Sequence, residues 1–325
     1  VCVVLPQSLL ASRDVAGLRA ELAGTVGLVH VWVAREAVFD AGVRVWAPLF
    51  DLGSRPDHGL VGLSRGADPQ LVPEAVELGR DGLADVVAVA LGAPAARLDR
   101  LVTHGSLGSM VRATAGFRDE YYGLAHACVE GEVDDPRPRV VTVGALDPLT
   151  HSWGQAPMKF AKQTWSRPVI ERSRLDGRVG RWAEQQARPK VVLPTQSKVF
   201  EPVVDRDGSL VPVTPVLSIH AEPDDLNAVA AVLLAPPVVV WAYRRWFGTA
   251  LSVDAIKLAA RDLADVPLPA DTGAWVEAAL LVEQAEGVGP HRRREILLEI
   301  GRLMNMAYGA PGDCLQWWID RLGTR

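Results

Sequence analysis

The chain opens on an uninterrupted apolar run, Val1-Cys-Val-Val-Leu5, closed by Pro6. Apolar residues without alternation fit a parallel strand buried on both faces, which needs strands beside it and helices above and below. The residues downstream supply pieces of such a sheet. Ser12 stands where a helix N-cap would, Val15, Leu18 and Leu22 share one helical face, and Gly24 and Gly27 end that helix. Residues 28–33 read as a second strand. Residues 43–49 read as a third, with Val43, Val45, Ala47 and Leu49 alternating onto one face. The connection between them carries Val38-Phe39-Asp40. A buried strand with no βα unit ahead of it reads as the later part of a larger α/β enzyme, through N-terminal truncation or a split gene.

Turn residues at Asp51-Leu-Gly-Ser-Arg-Pro56 mark a domain edge. From Val72 to Arg100 the pattern turns helical, interrupted by Gly92 and Pro94. Residues 129–138 are acidic and proline-containing, the composition of an exposed loop. Residues 188–219 read as short strands around a turn at Asp205-Arg-Asp-Gly208. Asp224 or Asp225 can cap a helix reaching Leu234, a second helix follows Pro236-Pro237, and residues 271–323 are mostly helical. Tyr121, Tyr122, Trp241, Trp246 and Phe247 read as core, and Arg244 and Arg245 as a solvated helix face.

Charge is unevenly distributed. The net charge is −5, yet residues 159–198 hold ten Lys and Arg against three Asp and Glu, a local +7 that leaves −12 for the rest. Trp165, Trp182, Gln185, Gln186 and Gln196 are interleaved with those cations. Such a segment can sit on phosphates and read base edges, or form a solvated arginine-rich surface. The three cysteines lie far apart with no CxxC, which fits a reduced cytoplasm and argues against a disulfide framework or structural zinc. His126 and Cys128 alone make a poor metal site. No apolar run reaches the roughly 18 residues a membrane span needs, and the head of the chain lacks the basic region of a signal peptide.

The order of pieces resembles one enzyme family. An apolar strand ending in Leu5-Pro-Gln-Ser-Leu, a helix carrying Leu18-Arg19, and a hairpin with Val38-Phe39 at its tip are similar to the second half of the catalytic domain of N6-adenine DNA methyltransferases. The likeness is to restriction–modification and phage-defence types whose target-recognition domain follows the catalytic one. Arg188-Pro-Lys-Val-Val-Leu, Asp225-Leu-Asn-Ala-Val-Ala-Ala-Val-Leu-Leu and Leu268-Pro269 resemble the recognition domain's strand, helix and closing segment. The resemblance implies an α/β chain: the C-terminal strands of a Rossmann-like methyltransferase sheet, then an α+β recognition domain and a helical tail. The implied boundaries are 1–53, a helical linker 54–100, 101–270 and 271–325. The complete enzyme would transfer a methyl group from S-adenosylmethionine to adenine in double-stranded DNA, with Phe39 packing against the flipped base.

Departures from the family are plain. No Asn-Pro-Pro-Tyr loop occurs, and Gly105-Ser-Leu-Gly108 has no strand and acidic follow-on to make it a nucleotide loop. The chain alone is therefore expected to bind no cofactor and no metal and to be inactive, with its missing methylase half or a separate subunit as partner. Expected DNA contacts are Arg112, Arg118, Lys159, Lys162, Arg167, Arg172, Arg174, Arg178, Arg181, Gln185, Arg188, Gln196 and Lys198, most of the arginines on phosphates. Thr195 and Ser197 share the loop of Gln196, and Thr114, Gly116 and Phe117 resemble the recognition domain's entry. A non-catalytic specificity module beside a separate methylase accounts for the same residues. A hydrolase lacks its Gly-x-Ser-x-Gly elbow, and a purely helical scaffold would leave the basic segment unused.

Overall fold

A computed structural model describes residues 1–11, 15–36, 38–40, 43–53, 60–77, 83–95, 103–116, 118–247 and 254–323. Ser12, residues 54–56 of the expected turn, residues 96–100 and Phe117 lie outside them. The protein is mixed α/β with a helical tail, and it divides into two compact units. One comprises Val1–Arg97 and Val240–Lys257, the other Leu98–Val239 and Leu258–Arg325.

The first unit is built on a five-stranded sheet. Its strands are β1 (Leu5–Pro6), β2 (Gly27–Val33), β3 (Val45–Asp51), β4 (Leu60–Arg65) and β5 (Gln70–Glu77), in the order β1-β3-β2-β4-β5. β2 and β3 form the expected antiparallel hairpin, Val33 opposite Trp46. β4 runs parallel to β2, Val31 opposite Leu63, and β5 returns antiparallel to β4. Two short helices, α1 (Ser8–Ala11) and α2 (Ala16–Thr25), precede the hairpin, and α3 (Leu83–Ala90) follows β5. Leu-Ala-Asp-Val-Val-Ala-Val-Ala is apolar nearly all round, so α3 is buried along its length against β2, β4 and β5.

Three expectations change here. The opening run is not a parallel strand buried on both faces. It follows β3 antiparallel, bridged at Cys2 and Leu49 and paired at Leu5 and Trp46, while Val1, Val3 and Val4 stay exposed. Hydrophobicity specified an apolar neighbour but not the direction of pairing. The helical reading from Val72 meets strand through Glu77, because pairing with β4 outweighs local propensity. Arg244, on the helix Pro236–Trp246, is not solvated: it is buried and donates to Asp85 of α3 at 2.6 Å and to the Ala95 carbonyl at 3.0 Å. Arg245 lies 4.4 Å over the Trp241 ring.

The second unit holds two four-stranded sheets. One orders Leu210–Pro212, Arg139–Val141, Pro168–Ile170 and Cys128–Glu130; the other orders Val203–Asp205, Lys190–Pro194, Val216–His220 and Arg112–Ala115. Val141 and Val169 of the first sheet meet Val192, Val203 and Val216 of the second in one apolar cluster. The first sheet's other face, with Val140, Ile170 and Val211, takes helix α4 (Arg118–Ala127) through Leu124 and Ala127 and helix α5 (Gly177–Gln186) through Val179 and Trp182. Sheets and helices thus stack in three layers. The expected turn at 205–208 is present, and only glycine fits at 208: φ is +68° and a Cβ there would sit 2.6 Å from the Arg188 backbone nitrogen. Residues 129–138 are not simply an exposed loop, because Asp135 is buried and accepts from Arg137 Nε at 2.9 Å.

After α6 (Leu226–Leu234) and α7 (Pro236–Trp246), the chain ends in α8 (Thr272–Gln284), α9 (Pro290–Ala307) and α10 (Gly312–Arg321). Asp271 caps α8 by accepting from the Gly273 and Ala274 nitrogens. No single helix among the described residues is long and apolar enough to cross a membrane. The cysteines are free, Cys2 exposed and Cys128 and Cys314 buried.

Candidate nucleic-acid interface

The site forms on α5 of the second unit. Val179, Trp182, Ala183 and Gln186 recur at helical spacing and face the core, so Arg178, Arg181 and Gln185 form a second row on the outside, and Arg188 follows just past the helix end. Across from this row runs the strand Arg112–Ala115, paired antiparallel with Val216–His220 so that Arg112 lies beside His220. Between them opens a cleft of about 770 Å³, with Thr114 and Glu120 in its wall and Ala221 and Pro223 at its end.

Charge in this cleft is mostly uncompensated. Arg178 reaches the buried Glu120 carboxylate at 3.3 Å. The side chains of Arg112, Arg181, Gln185 and Arg188 have no hydrogen bond or ion pair among the described residues. Burial pushes the His220 imidazole below its usual value, and the nearby Lys190 and Arg188 charges push it further. At neutral pH the cleft therefore presents guanidiniums and one neutral imidazole.

The C-terminal end of α5 is fastened from below. Lys190, fully buried, donates to the Gln186 carbonyl at 2.6 Å and is paired with the buried Asp205 carboxylate. Asp205 also accepts from the backbone nitrogens of Ser209 at 3.0 Å and Leu210 at 3.1 Å. The Ser218 hydroxyl donates to the Gln186 side-chain oxygen. The arginine row is thus held on a helix whose end is fixed to the second sheet.

The structure brings Arg112, Arg178, Arg181, Gln185 and Arg188 together and leaves the other expected contacts elsewhere. Lys159 and Lys162 are exposed on a hairpin, and Arg172 and Arg174 on a single 3₁₀ turn before α5. Arg167 is half-buried near Gly154. Gln196 lies half-buried in a two-residue strand, and Lys198 is exposed with its carbonyl accepting from Arg321 at 3.2 Å. Arg118 begins α4, but its side chain lies outside the described residues. Phe39 belongs to the other unit, in the connection between β2 and β3, and is 55% exposed. Glu120 and His220 escaped the sequence reading: a lone acid in a basic cleft and a histidine closing a strand carry no spacing signal.

Other chemistry fits poorly. Gly105–Gly108 spans a four-residue strand and a one-turn 3₁₀ helix, packed so that a Cβ at Gly108 would sit 2.9 Å from the Ala264 carbonyl oxygen, and the segment does not fit a nucleotide cofactor. His126 is exposed and Cys128 buried, and no group of three or more His, Cys, Asp or Glu able to hold a metal occurs among the described residues.

No protein-family model matches the chain, and no curated protein matches its sequence. Among solved structures it is similar to the type IIL restriction–modification enzyme MmeI in complex with DNA. The TM-score is 0.53 at 11% identity, over 99% of this chain and 49% of that one. The type IIG restriction endonuclease BpuSI gives a TM-score of 0.42 at 10% identity, over 98% and 47%. The chain thus spans about half the length of either protein and shares its fold with the first.

Proposed function

We propose that this chain is part of an adenine-specific DNA methyltransferase of a restriction–modification system, and that its second unit binds the duplex through the α5 cleft. The observation that carries the reading is the cleft itself: guanidiniums of Arg112, Arg181 and Arg188, unpaired among the described residues, converge with the Gln185 amide on one concave surface. Arginines grip phosphates and read guanine, and glutamine suits adenine. The shared fold with an enzyme solved on DNA supports the same reading. S-adenosylmethionine would be held by residues outside this chain, in a further methylase portion, and the protein would work in the cytoplasm.

The test is a salt titration of duplex binding followed by fluorescence anisotropy, with and without labelled S-adenosylmethionine. The expected result is DNA affinity that falls linearly on a log–log plot with salt, and no cofactor uptake by this chain. Absence of salt-dependent DNA binding overturns the reading.

The first unit would supply the base-flipping hairpin. Phe39 supports this role because it is exposed, not consumed by the core. A flipped base needs a platform to offset a few kcal/mol of lost stacking. Phe39→Ala in the completed enzyme is expected to reduce the fluorescence of 2-aminopurine placed at the target adenine, with duplex affinity within about twofold. Unaltered fluorescence and methylation rate would remove Phe39 from the mechanism.

A further inference from the structure

Met158–Phe160 and Gln163–Trp165 form a two-residue β-hairpin, Phe160 opposite Gln163, with Ala161 and Lys162 at its tip. Both tip residues are left-handed, with φ of +51° and +62°. A two-residue loop of this kind favours Asn and Gly, because a side chain there crowds the backbone. Neither tip residue is of that kind. The strain is held from outside the hairpin. The Ala161 backbone nitrogen donates to the Tyr121 hydroxyl at 3.2 Å, and the Tyr121 ring sits edge-on to Phe160 at 5.2 Å.

The hairpin is two-faced. Met158 and Phe160 are buried, while Lys159, Lys162, Gln163 and Thr164 are exposed. Neither lysine has an ion pair or hydrogen bond among the described residues. Its tip also belongs to the cleft's surroundings. Ala161 packs in the same apolar cluster as Val179 and Trp182, the inner face of α5, and Tyr121 follows Glu120 of the cleft wall.

We propose that this hairpin is a second DNA-contacting element, a finger whose strained tip holds Lys162 against a backbone phosphate beside the cleft. The proposal rests on the DNA-binding reading of the same unit. Strained non-glycine tips persist where surrounding structure over-determines them, and they cluster at ligand clamps. Lysine, a compact point charge with three donors, suits a phosphate and not a base edge. Lys162 should therefore add affinity equally for every DNA sequence.

Lys162→Gly separates this role from a structural one, because it relaxes the turn and removes the charge together. The expected result is a melting temperature at or above that of the native protein, with duplex affinity reduced about fivefold at 0.1 M salt, equally for unrelated sequences. The salt dependence should become shallower by about one phosphate contact. Lys162→Arg should retain affinity within about twofold. Unchanged affinity and salt slope in Lys162→Gly, with the native protein still binding DNA, would overturn the finger and leave the cleft standing. A native protein that binds no DNA would overturn both.

Discussion

Replacing Arg112, Arg181 and Arg188 together by alanine is expected to weaken duplex DNA binding by more than a hundredfold while leaving the fold intact. The three side chains are exposed, line one cleft, and have no partner among the described residues, so their removal takes nothing from the packed layers. Each contact of this type contributes about 1–3 kcal/mol, and about 1.4 kcal/mol is tenfold in affinity. Three losses at the low end already exceed a hundredfold. Each phosphate contact also sets about 0.9 of the slope of log affinity against log salt, so three phosphate contacts would account for about 2.7 of it. Arg178 is deliberately spared, because its loss would take an ion pair from the buried Glu120 carboxylate and mix folding with binding. Arg302, paired with Glu299 on α9, is the control: Arg302→Ala should bind like the native protein. Native affinity and slope in the triple variant, measured by anisotropy, would remove the cleft from DNA recognition.

How much of this was legible in the sequence depends on what each pattern specifies. The apolar residues at 43–49 announce a strand but not its buried face: the expected alternation fails, because Val45 to Pro48 are all buried while Val43 and Leu49 are exposed. Turn chemistry at 205–208 is a local signal and the turn is present, whereas the cap expected of Asp224 or Asp225 is not made: Asp225 precedes α6 with no side-chain cap hydrogen bond. Strand direction is not local. The opening apolar run specified burial but is antiparallel and mostly exposed, because its partner β3 arrives from far along the chain. Arg244 shows the same limit: nothing in Tyr243-Arg244-Arg245 announces Asp85, 159 residues away. The basic segment identified the right cations but not their grouping. Helical spacing alone would have linked Arg178, Arg181, Gln185 and Arg188, whereas Arg112 and His220 join them only through a strand pairing. Lys190 counted as one more basic residue in that segment, and the structure makes it the most buried of them.

That residue carries the largest expected effect on stability. Lys190→Met should destabilise the protein by about 3–5 kcal/mol, the usual cost of removing one partner from a buried ion pair. Proteins of this kind hold only about 5–15 kcal/mol in all, so a melting temperature lower by roughly 10 °C is expected. Loss of the ammonium leaves the Asp205 carboxylate, itself nearly inaccessible, with neutral donors, the Ser209 and Leu210 nitrogens and the Ser209 hydroxyl. It also frees the Gln186 carbonyl at the end of α5, so the arginine row loses its anchor. Burial pushes the Asp205 carboxyl above its usual value, and the Lys190 charge opposes that push. Without Lys190 the folded state binds this proton still more tightly than the unfolded chain does. The variant's deficit is then smallest below the ordinary carboxyl value of 3.8 and grows as pH rises through the raised folded value. Denaturant unfolding at pH 5 and pH 8 checks the sign: the gap to the native protein should be wider at pH 8. Adding Asp205→Asn removes the stranded charge and keeps an acceptor for one of the two nitrogens, which bond to different carboxylate oxygens, so the double variant should recover part of the loss. A double variant no more stable than Lys190→Met would mean that the lysine acts through packing and its bond to Gln186, not through the ion pair.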